Sequence, residues 1–143
     1  MRDAGAVHVL TLASDPARLR ETRRFVGRWA MDAGLAPALA HELAVALSEV
    51  LANVHRHAYA GRRDGRIDVR LAEDAERIVV SVVHDGVPFD ASRLPPADLL
   101  MPREGGYGLF LIGRLVDDVS FEGVGRGGRV VLVKRRSSVA ART

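Results

Sequence analysis

Several residue types that define well-known functional sites are absent or scarce in this 143-residue chain. It contains no cysteine, which excludes a cysteine nucleophile, a zinc–thiolate site and a disulfide framework, and which is typical of proteins in a reducing compartment. Its single lysine is Lys134, and the absence of any Gly-Lys pair excludes a Walker A loop. A phosphate-binding site in this chain must therefore use backbone N–H groups and arginine.

Aromatic residues make up only 5% of the chain, and no stretch alternates basic and aromatic residues. A stacking surface for single-stranded nucleic acid needs such residues. The arginines responsible for the net charge of +3 are spread along the sequence and do not form one block. No uncharged apolar stretch has the length of a signal peptide or a membrane span. We therefore expect a soluble, cytoplasmic protein with no direct contact to nucleic acid or membrane.

The length fits one folded domain, which we expect to span residues 1–136 and to be followed by a disordered tail at residues 137–143. Val7–Leu12 is predicted to be a strand, and a helix is predicted to follow as far as Ala33. One side of this helix carries a row of basic residues, which is either a solvated face or a docking surface for an acidic partner. The row consists of Arg18, Arg20, Arg23, Arg24 and Arg28.

The stretch Glu42–Ala60 is predicted to be a long central helix, because its apolar residues recur at a spacing of three and four. On an adjoining face, polar residues recur at the same spacing, so a carboxylate, an amide, a guanidinium and an imidazole line up within two turns. Such a row can hold a metal ion and phosphates, although a solvated helix face has the same pattern. The four residues are Glu49, Asn53, Arg56 and His57.

Two strands are predicted after this helix. The sequence RIDVRLAED alternates apolar and charged residues, the pattern of a half-buried strand. The sequence RIVVSVVHDG is almost continuously apolar, as in a central strand, and ends on Asp85 and Gly86. A carboxylate at the end of such a strand is an acceptor at a sheet edge, where ligands are commonly held, although Asp-Gly is also an ordinary turn signal.

The segment Asp90–Glu104 contains three prolines and little periodicity, and it is flanked by glycines, as a mobile lid would be. The glycine-rich sequence GGYG leads directly into a helical pattern that begins at Leu109. A loop of this kind presents free N–H groups and the positive end of the helix dipole, which suits phosphate. Val119–Phe121 and the sequence RVVLVKR are predicted to be the last strands.

The order of four short segments resembles the ATP site of the GHKL superfamily (the Bergerat fold), which gyrase, Hsp90, histidine kinases and MutL share. More narrowly, LSEVLANVHRHAY, HDGVPFD, GGYGLFLIGRLVDDVSFE and GGRVVLVKR are similar to RsbW-type anti-sigma-factor serine/threonine kinases. The resemblance covers nearly the whole chain and implies an α/β two-layer sandwich, with a mixed, mainly antiparallel sheet and helices on one face. The four segments are Glu49-x-x-x-Asn53, Asp85-Gly86 through Phe89, Gly106-x-Gly108 and Gly127-Gly128.

The resemblance implies that the chain binds ATP or ADP together with Mg²⁺. By this resemblance Asn53 is the Mg²⁺ ligand, and Glu49 is the catalytic base that orients or deprotonates the attacking hydroxyl. Arg56 would contact the phosphates, Asp85 would accept a hydrogen bond from the adenine amino group, and Gly86 would let the base approach the backbone. The other residues that the comparison implies around the nucleotide are His57, Phe89, Gly106, Tyr107, Gly108 and Leu109.

The chain departs from the family pattern at two positions. Many members have arginine where this chain has Tyr107, so a phosphate contact is missing there, although Arg103 lies close by in the sequence. Many also have threonine where this chain has Arg129, which removes a hydroxyl that supports adenine recognition. Neither departure removes the implied metal ligand or the implied base.

The family resemblance implies an ATP-dependent protein serine/threonine kinase. Such a protein binds a sigma factor and phosphorylates an anti-anti-sigma partner with a STAS domain, and it forms a homodimer through its first strand or first helix. Two alternatives stay open: an ATP-gated protein-binding module without kinase activity, and a catalytic domain split from a histidine kinase. The second is disfavoured because the sequence predicts no phosphoacceptor helix and His57 lies within the nucleotide helix.

Overall fold

The computed structural model of the chain describes residues 7–88 and 107–136. The predicted lid at residues 90–104 and the predicted tail at residues 137–143 lie outside these ranges. Within the described ranges the chain forms three α-helices and five strands. They are β1 (His8–Ala13), α1 (Pro16–Asp32), α2 (Pro37–Asn53), β2 (Arg66–Glu73), β3 (Arg77–His84), α3 (Tyr107–Leu115), β4 (Asp118–Val124) and β5 (Gly127–Arg135).

The strands form one sheet in the order β1-β2-β3-β5-β4, and every pairing between neighbours is antiparallel. The expectation of a mixed sheet is therefore wrong for the strands that the structure describes. The crossover through α3 does bring β4 back in the same direction as β3, as in a parallel unit. However, β5 lies between these two strands and runs opposite to both, so no parallel neighbours result.

The helices cover one face of the sheet, as the predicted two-layer sandwich requires. In β3, Ile78, Val80, Val82 and His84 are buried, whereas the residues between them are partly exposed. This alternation is the pattern of a strand with one covered face. Helix α2 packs against β3 and β5, while α1 and α3 pack against α2. The fold class predicted from the sequence is thus confirmed.

The helix ends follow local signals in the sequence. The carboxylate of Asp15 caps α1 by accepting from the N–H of Ala17 at 3.1 Å. The helix stops before Gly34, whose φ of +100° favours glycine, and Pro37 then begins α2. None of the helices in the described part of the chain is both long enough and apolar enough to cross a lipid bilayer.

The central helix is not α-helical throughout, which corrects the prediction for Glu42–Ala60. Helix α2 ends at Asn53 and continues as a π-helical turn over Val54–Ala58, in which the N–H of Tyr59 donates to the carbonyl of Val54 at 3.0 Å. Residues five apart lie on different sides of an α-helix, which has 3.6 residues per turn. The wider turn brings Tyr59 back over Val54, so both side chains are buried.

The basic residues at the end of β5 make internal contacts. Lys134 is buried, and its Nζ donates to Glu42 Oε1 at 2.6 Å and to the carbonyl of Leu115 at 2.6 Å. It therefore joins β5 to the start of α2 and to the last residue of α3. The guanidinium of Arg136 similarly bonds to Glu73 and to the carbonyl groups of Asp74 and Ala33.

Candidate functional site

Two of the sequence segments predicted to bind ligand meet where β3 ends. After His84, the chain passes against the π-helical turn, and the N–H of Val87 donates to the carbonyl of Ala58 at 3.1 Å. A Cβ atom at Gly86 would lie 2.3 Å from the carbonyl oxygen of Ala58. Only glycine permits this approach. The segment that contains Asp85 is thereby fixed against the end of the helix that carries Asn53.

A third segment, Gly127-Gly128 at the start of β5, reaches the same place. A Cβ atom at Gly127 would lie 1.8 Å from the carbonyl oxygen of His84, and one at Gly128 would lie 2.9 Å from His84 Nε2. Gly128 also faces Pro88, whose Cα would be 3.3 Å from such a Cβ. The two glycines therefore let β5 pack directly on the end of β3.

An open depression with a volume of about 570 Å³ lies at this junction, and we call it the cavity. Its walls include the segment Asp85-Gly86, together with Tyr59 and Arg126. Among the described residues that line it, Glu49 and Asn53 are not present. The structure thus places the predicted adenine-binding segment at the edge of this cavity. The predicted base and metal ligand lie further back along the same helix.

Of the four polar residues predicted to form a row on the central helix, two lie on α2 and two on the π-helical turn. Glu49 and Asn53 are one turn apart on α2 and both are half-buried. The Nη2 of Arg56 donates to Asn53 Oδ1 at 3.1 Å, which places a guanidinium beside the predicted metal ligand. His57 is exposed on the π-helical turn. A role for His57 at the phosphates stays a prediction.

The fourth segment is described only from Tyr107 onward. Helix α3 begins at this residue, within the glycine-rich sequence GGYG and two residues before the predicted start at Leu109. It packs against α2, so the start of α3 belongs to the same helical layer as Asn53. Phe89 and Gly106 lie outside the described residues. The phosphate contacts assigned to Gly106, Tyr107, Gly108 and Leu109 therefore stay predictions.

Arg129 lies on the face of the sheet that the helices do not cover. Side chains alternate along β5, so Gly128 is buried on the helix-covered face opposite His84, and Arg129 is on the other face. Its Nε pairs with Glu122 Oε1 on β4 at 2.5 Å. The loss of a hydroxyl that supports adenine recognition at this position stays a prediction.

Two buried polar residues that were not predicted from the sequence support the junction. The hydroxyl of Tyr59 accepts from the N–H of Asp85 at 2.9 Å and donates to the carbonyl of Arg66 at 2.5 Å. The Tyr59 ring meets the His84 ring edge to face, with 6.1 Å between centroids. The Nδ1 of His84 accepts from the N–H of Gly86 at 3.2 Å.

The sequence contains a signal for one of these two buried residues. His84 follows Ile78, Val80 and Val82 at a spacing of two, which is the phase of the buried face of β3. Tyr59 lies five residues after Val54, a spacing that only the π-helical turn converts into burial on the same side. Alternation was therefore sufficient to find His84, whereas Tyr59 required the structure.

Burial controls the protonation of both side chains. The loss of solvation raises the pKa of Tyr59 above its usual value, so the phenol keeps the proton that it donates to Arg66. The same effect lowers the pKa of His84, against an opposing influence of the Asp85 carboxylate. The imidazole is therefore neutral at pH 7, and its Nδ1 is available as the acceptor for Gly86.

We expect His84 to make the protein less stable in mild acid. Because its pKa is lower in the folded state than the usual value of about 6.5, the unfolded chain takes up the proton first. The free energy of unfolding should therefore fall as the pH drops from about 6.5 toward the folded-state pKa, and then level off. His84→Asn keeps an acceptor near Nδ1 but cannot titrate, so it should remove this component from urea unfolding measured between about pH 5 and 7.5.

The matched control for this test is His41→Asn on α2, because the side chain of His41 is exposed. It should leave the pH profile of the free energy of unfolding as in the wild type. Identical profiles for wild type and His84→Asn would contradict the assignment of acid sensitivity to His84.

Comparison with known proteins extends this description. The sequence matches the family described as histidine kinase-like ATPase domains over residues 12–134. It is 33% identical over 118 residues to the serine-protein kinase RsbW of Listeria monocytogenes, covering 77% of this chain and 75% of that protein. It is 34% identical over 86 residues to RsbW of Oceanobacillus iheyensis, covering 54% of each.

Solved structures share the fold. The structure of the RsbU and RsbW domains of Rv1364c from Mycobacterium tuberculosis aligns with a TM-score of 0.66 at 18% identity, over 91% of this chain and 32% of that one. The SiaB–SiaC complex from Pseudomonas aeruginosa aligns with a TM-score of 0.64 at 16% identity, over 88% of each chain. The blue-light activated histidine kinase of Erythrobacter litoralis EL346 aligns with a TM-score of 0.57 at 23% identity, over 75% of this chain and 33% of that one. These similarities establish a common fold.

Proposed function

The chain belongs to the family of histidine kinase-like ATPase domains and, within it, to the RsbW-type ATP-dependent serine-protein kinases, and we propose that it controls a sigma factor. In this proposal it binds and sequesters the sigma factor. It also phosphorylates a serine or threonine on an anti-anti-sigma partner of the STAS type, which prevents that partner from releasing the sigma factor. These regulatory steps would take place in the cytoplasm, where sigma factors act.

The observation that carries the proposal is the meeting of Asp85-Gly86 with the end of the helix that holds Glu49 and Asn53. Asp85 is exposed at the cavity, so its carboxylate can accept a hydrogen bond from the amino group of adenine. Gly86 has no side chain to cover the backbone. On α2, Asn53 offers an amide oxygen and Glu49 a carboxylate one turn earlier. In this proposal the end of β3 recognises the adenine base, and α2 supplies the groups that act on the phosphates.

The donor groups present fit Mg²⁺ bound together with a nucleotide. Mg²⁺ prefers oxygen ligands and keeps several waters, so one amide oxygen from Asn53 suffices when phosphate oxygens supply other ligands. In the described part of the chain, no cluster of three or more His, Asp or Glu residues could hold a metal ion by itself. When bound, Mg²⁺ would neutralise charge that develops on the phosphates. Arg56 donates to Asn53 Oδ1 in this structure, and we propose that its guanidinium turns to the phosphates when nucleotide binds.

Transfer to a hydroxyl requires a nucleophile held in line with the γ-phosphate and a group that accepts its proton. We assign the second role to Glu49, because its carboxylate lies one turn before Asn53 on the same helix. Its half-buried position leaves part of the side chain accessible to the hydroxyl of a partner. Arg56 would balance the charge of the phosphates.

Asp85→Asn should weaken adenine nucleotide binding. The substitution exchanges a charged acceptor for an amide that can present a donor to the adenine amino group. Loss of one charge-assisted hydrogen bond corresponds to about 1.5–3 kcal/mol, or roughly ten- to a hundredfold in affinity. Titration calorimetry with ATP and Mg²⁺ measures this change directly. Asp118→Asn is the matched control, because Asp118 is exposed on β4 at the opposite end of the sheet. Equal affinity in wild type and a folded Asp85→Asn protein would refute the adenine site.

Glu49→Gln should separate catalysis from binding. A general base contributes about a hundred- to ten-thousandfold in rate, so the variant should bind ATP and the partner but transfer phosphate at least about a hundredfold more slowly. Asn53→Ala should in addition lose Mg²⁺-dependent nucleotide binding. The assay is transfer of labelled γ-phosphate to candidate STAS-domain proteins, together with a binding measurement.

The same assay distinguishes the kinase from the alternative of an ATP-gated binding module. A wild-type protein that binds a partner only in the presence of ATP, yet transfers no label, would identify such a module. Wild-type activity in Glu49→Gln would instead show that another group accepts the proton.

The exposed side of α1 is the surface that we propose for contacts with a partner protein. The arginines of α1 are mostly exposed, and Arg18 pairs with Glu21 at 2.7 Å, which leaves Arg20, Arg24 and Arg28 as exposed positive charges on this helix. We propose that they contact an acidic surface of a partner. A homodimer would use α1 or β1, which is an edge strand paired only with β2 in the described sheet.

A further inference from the structure

We propose that Tyr59 is a positioning residue for adenine recognition, which acts through Asp85 and does not itself touch the nucleotide. The inference rests on the proposed function, because it assigns to Tyr59 the task of holding the adenine-binding carboxylate in place. Tyr59 lines the cavity directly after the π-helical turn. Its hydroxyl bonds to the start of β2 and to the residue that follows β3.

The backbone after β3 is held by three consecutive hydrogen bonds. The N–H of Asp85 donates to the Tyr59 hydroxyl at 2.9 Å, and the N–H of Gly86 donates to His84 Nδ1 at 3.2 Å. The N–H of Val87 donates to the carbonyl of Ala58 at 3.1 Å. Each donor of this segment therefore has a fixed acceptor. Because the Asp85 side chain itself is exposed, its direction depends on the backbone that carries it.

The hydroxyl of Tyr59 is in turn fixed by its surroundings. The residue is 5% exposed, and a Cβ atom at Gly65 would lie 2.5 Å from its ring, so the ring packs directly on the backbone of this loop. The carbonyl of Gly65 accepts from the N–H of Ser14 at 2.8 Å, which ties the loop to the end of β1. The Tyr59 hydroxyl also donates to the carbonyl of Arg66 at 2.5 Å. Both its donor and its acceptor capacity are used.

Removal of the hydroxyl would leave two partly buried backbone groups without this partner, the N–H of Asp85 and the carbonyl of Arg66. The most direct relief is a shift of the Asp85 backbone toward water, which would turn the carboxylate away from the adenine amino group. The phenyl ring of Tyr59→Phe would still fill the space against Gly65 and His84. The fold should therefore persist while base recognition is lost.

The experiment compares two nucleotides that differ only in the group that Asp85 would contact. Affinity for ATP and for purine riboside triphosphate, which lacks the 6-amino group, is measured by calorimetry with wild type and Tyr59→Phe. We expect Tyr59→Phe to lower the ATP affinity about tenfold and to change the affinity for the analogue less than about twofold. A general loss of stability would lower both affinities together.

Thr22→Val is the matched control for removal of a buried hydroxyl. Thr22 is buried in α1, and its hydroxyl donates to the carbonyl of Arg18 at 2.9 Å, as that of Tyr59 does to Arg66. The Thr22→Val variant should bind ATP and the analogue with the same affinities as the wild type. When Tyr59→Phe is added to Asp85→Asn, the affinity for ATP should fall by less than about a further twofold, because both substitutions act on the same contact with adenine.

The outcomes separate the inference from the proposed function. Wild-type protein that binds no ATP would overturn both. Two results would overturn only the role of Tyr59. In the first, Tyr59→Phe binds ATP as tightly as the wild type does. In the second, it loses affinity equally for ATP and for the analogue. If Tyr59→Phe does not fold, a crystal structure of the wild type with bound ATP tests the inference: an Asp85 N–H that does not donate to the Tyr59 hydroxyl while the Asp85 carboxylate contacts the adenine amino group would also overturn it.

Discussion

The close contact between Gly86 and the carbonyl of Ala58 holds the end of β3 against the π-helical turn. A side chain at residue 86 would overlap Ala58, so the strand end can close on the helix only because glycine is there. Gly127 allows β5 an equally close approach to His84. These glycines place Asp85 beside the helix of Asn53, and the candidate nucleotide site depends on that placement.

Around this junction, polar groups are satisfied inside the protein while the functional groups stay accessible. Tyr59 and His84 are buried and use their hydrogen-bonding atoms on the backbone. Asp85 is exposed and Asn53 half-buried. A second anchor holds the far end of α3, where Lys134 binds the carbonyl of Leu115.

Periodicity predicted much of this structure, and it fails where tertiary contacts decide. The spacing of three and four in α2 and the alternation in β2 correctly indicated which residues are buried, whereas the covering of the sheet on one side was implied by the family resemblance. The π-helical turn at Val54–Ala58, which accompanies the burial of Tyr59, was missed because helical spacing alone does not distinguish it from an α-helix. The wholly antiparallel pairing was missed because β5 inserts between β3 and β4. The face on which Arg129 lies follows from the register of β5, which the motif alone does not contain.

The central claim is that one nucleotide spans the junction, with its base at Asp85 and its phosphates at Asn53. A crystal structure of the protein with Mg²⁺ and a non-hydrolysable ATP analogue tests it most directly. The account predicts the adenine amino group within hydrogen-bond distance of the Asp85 carboxylate, and the metal ion bound by Asn53 Oδ1 and phosphate oxygens. A nucleotide bound away from Asp85, or phosphates held without Asn53, would contradict it.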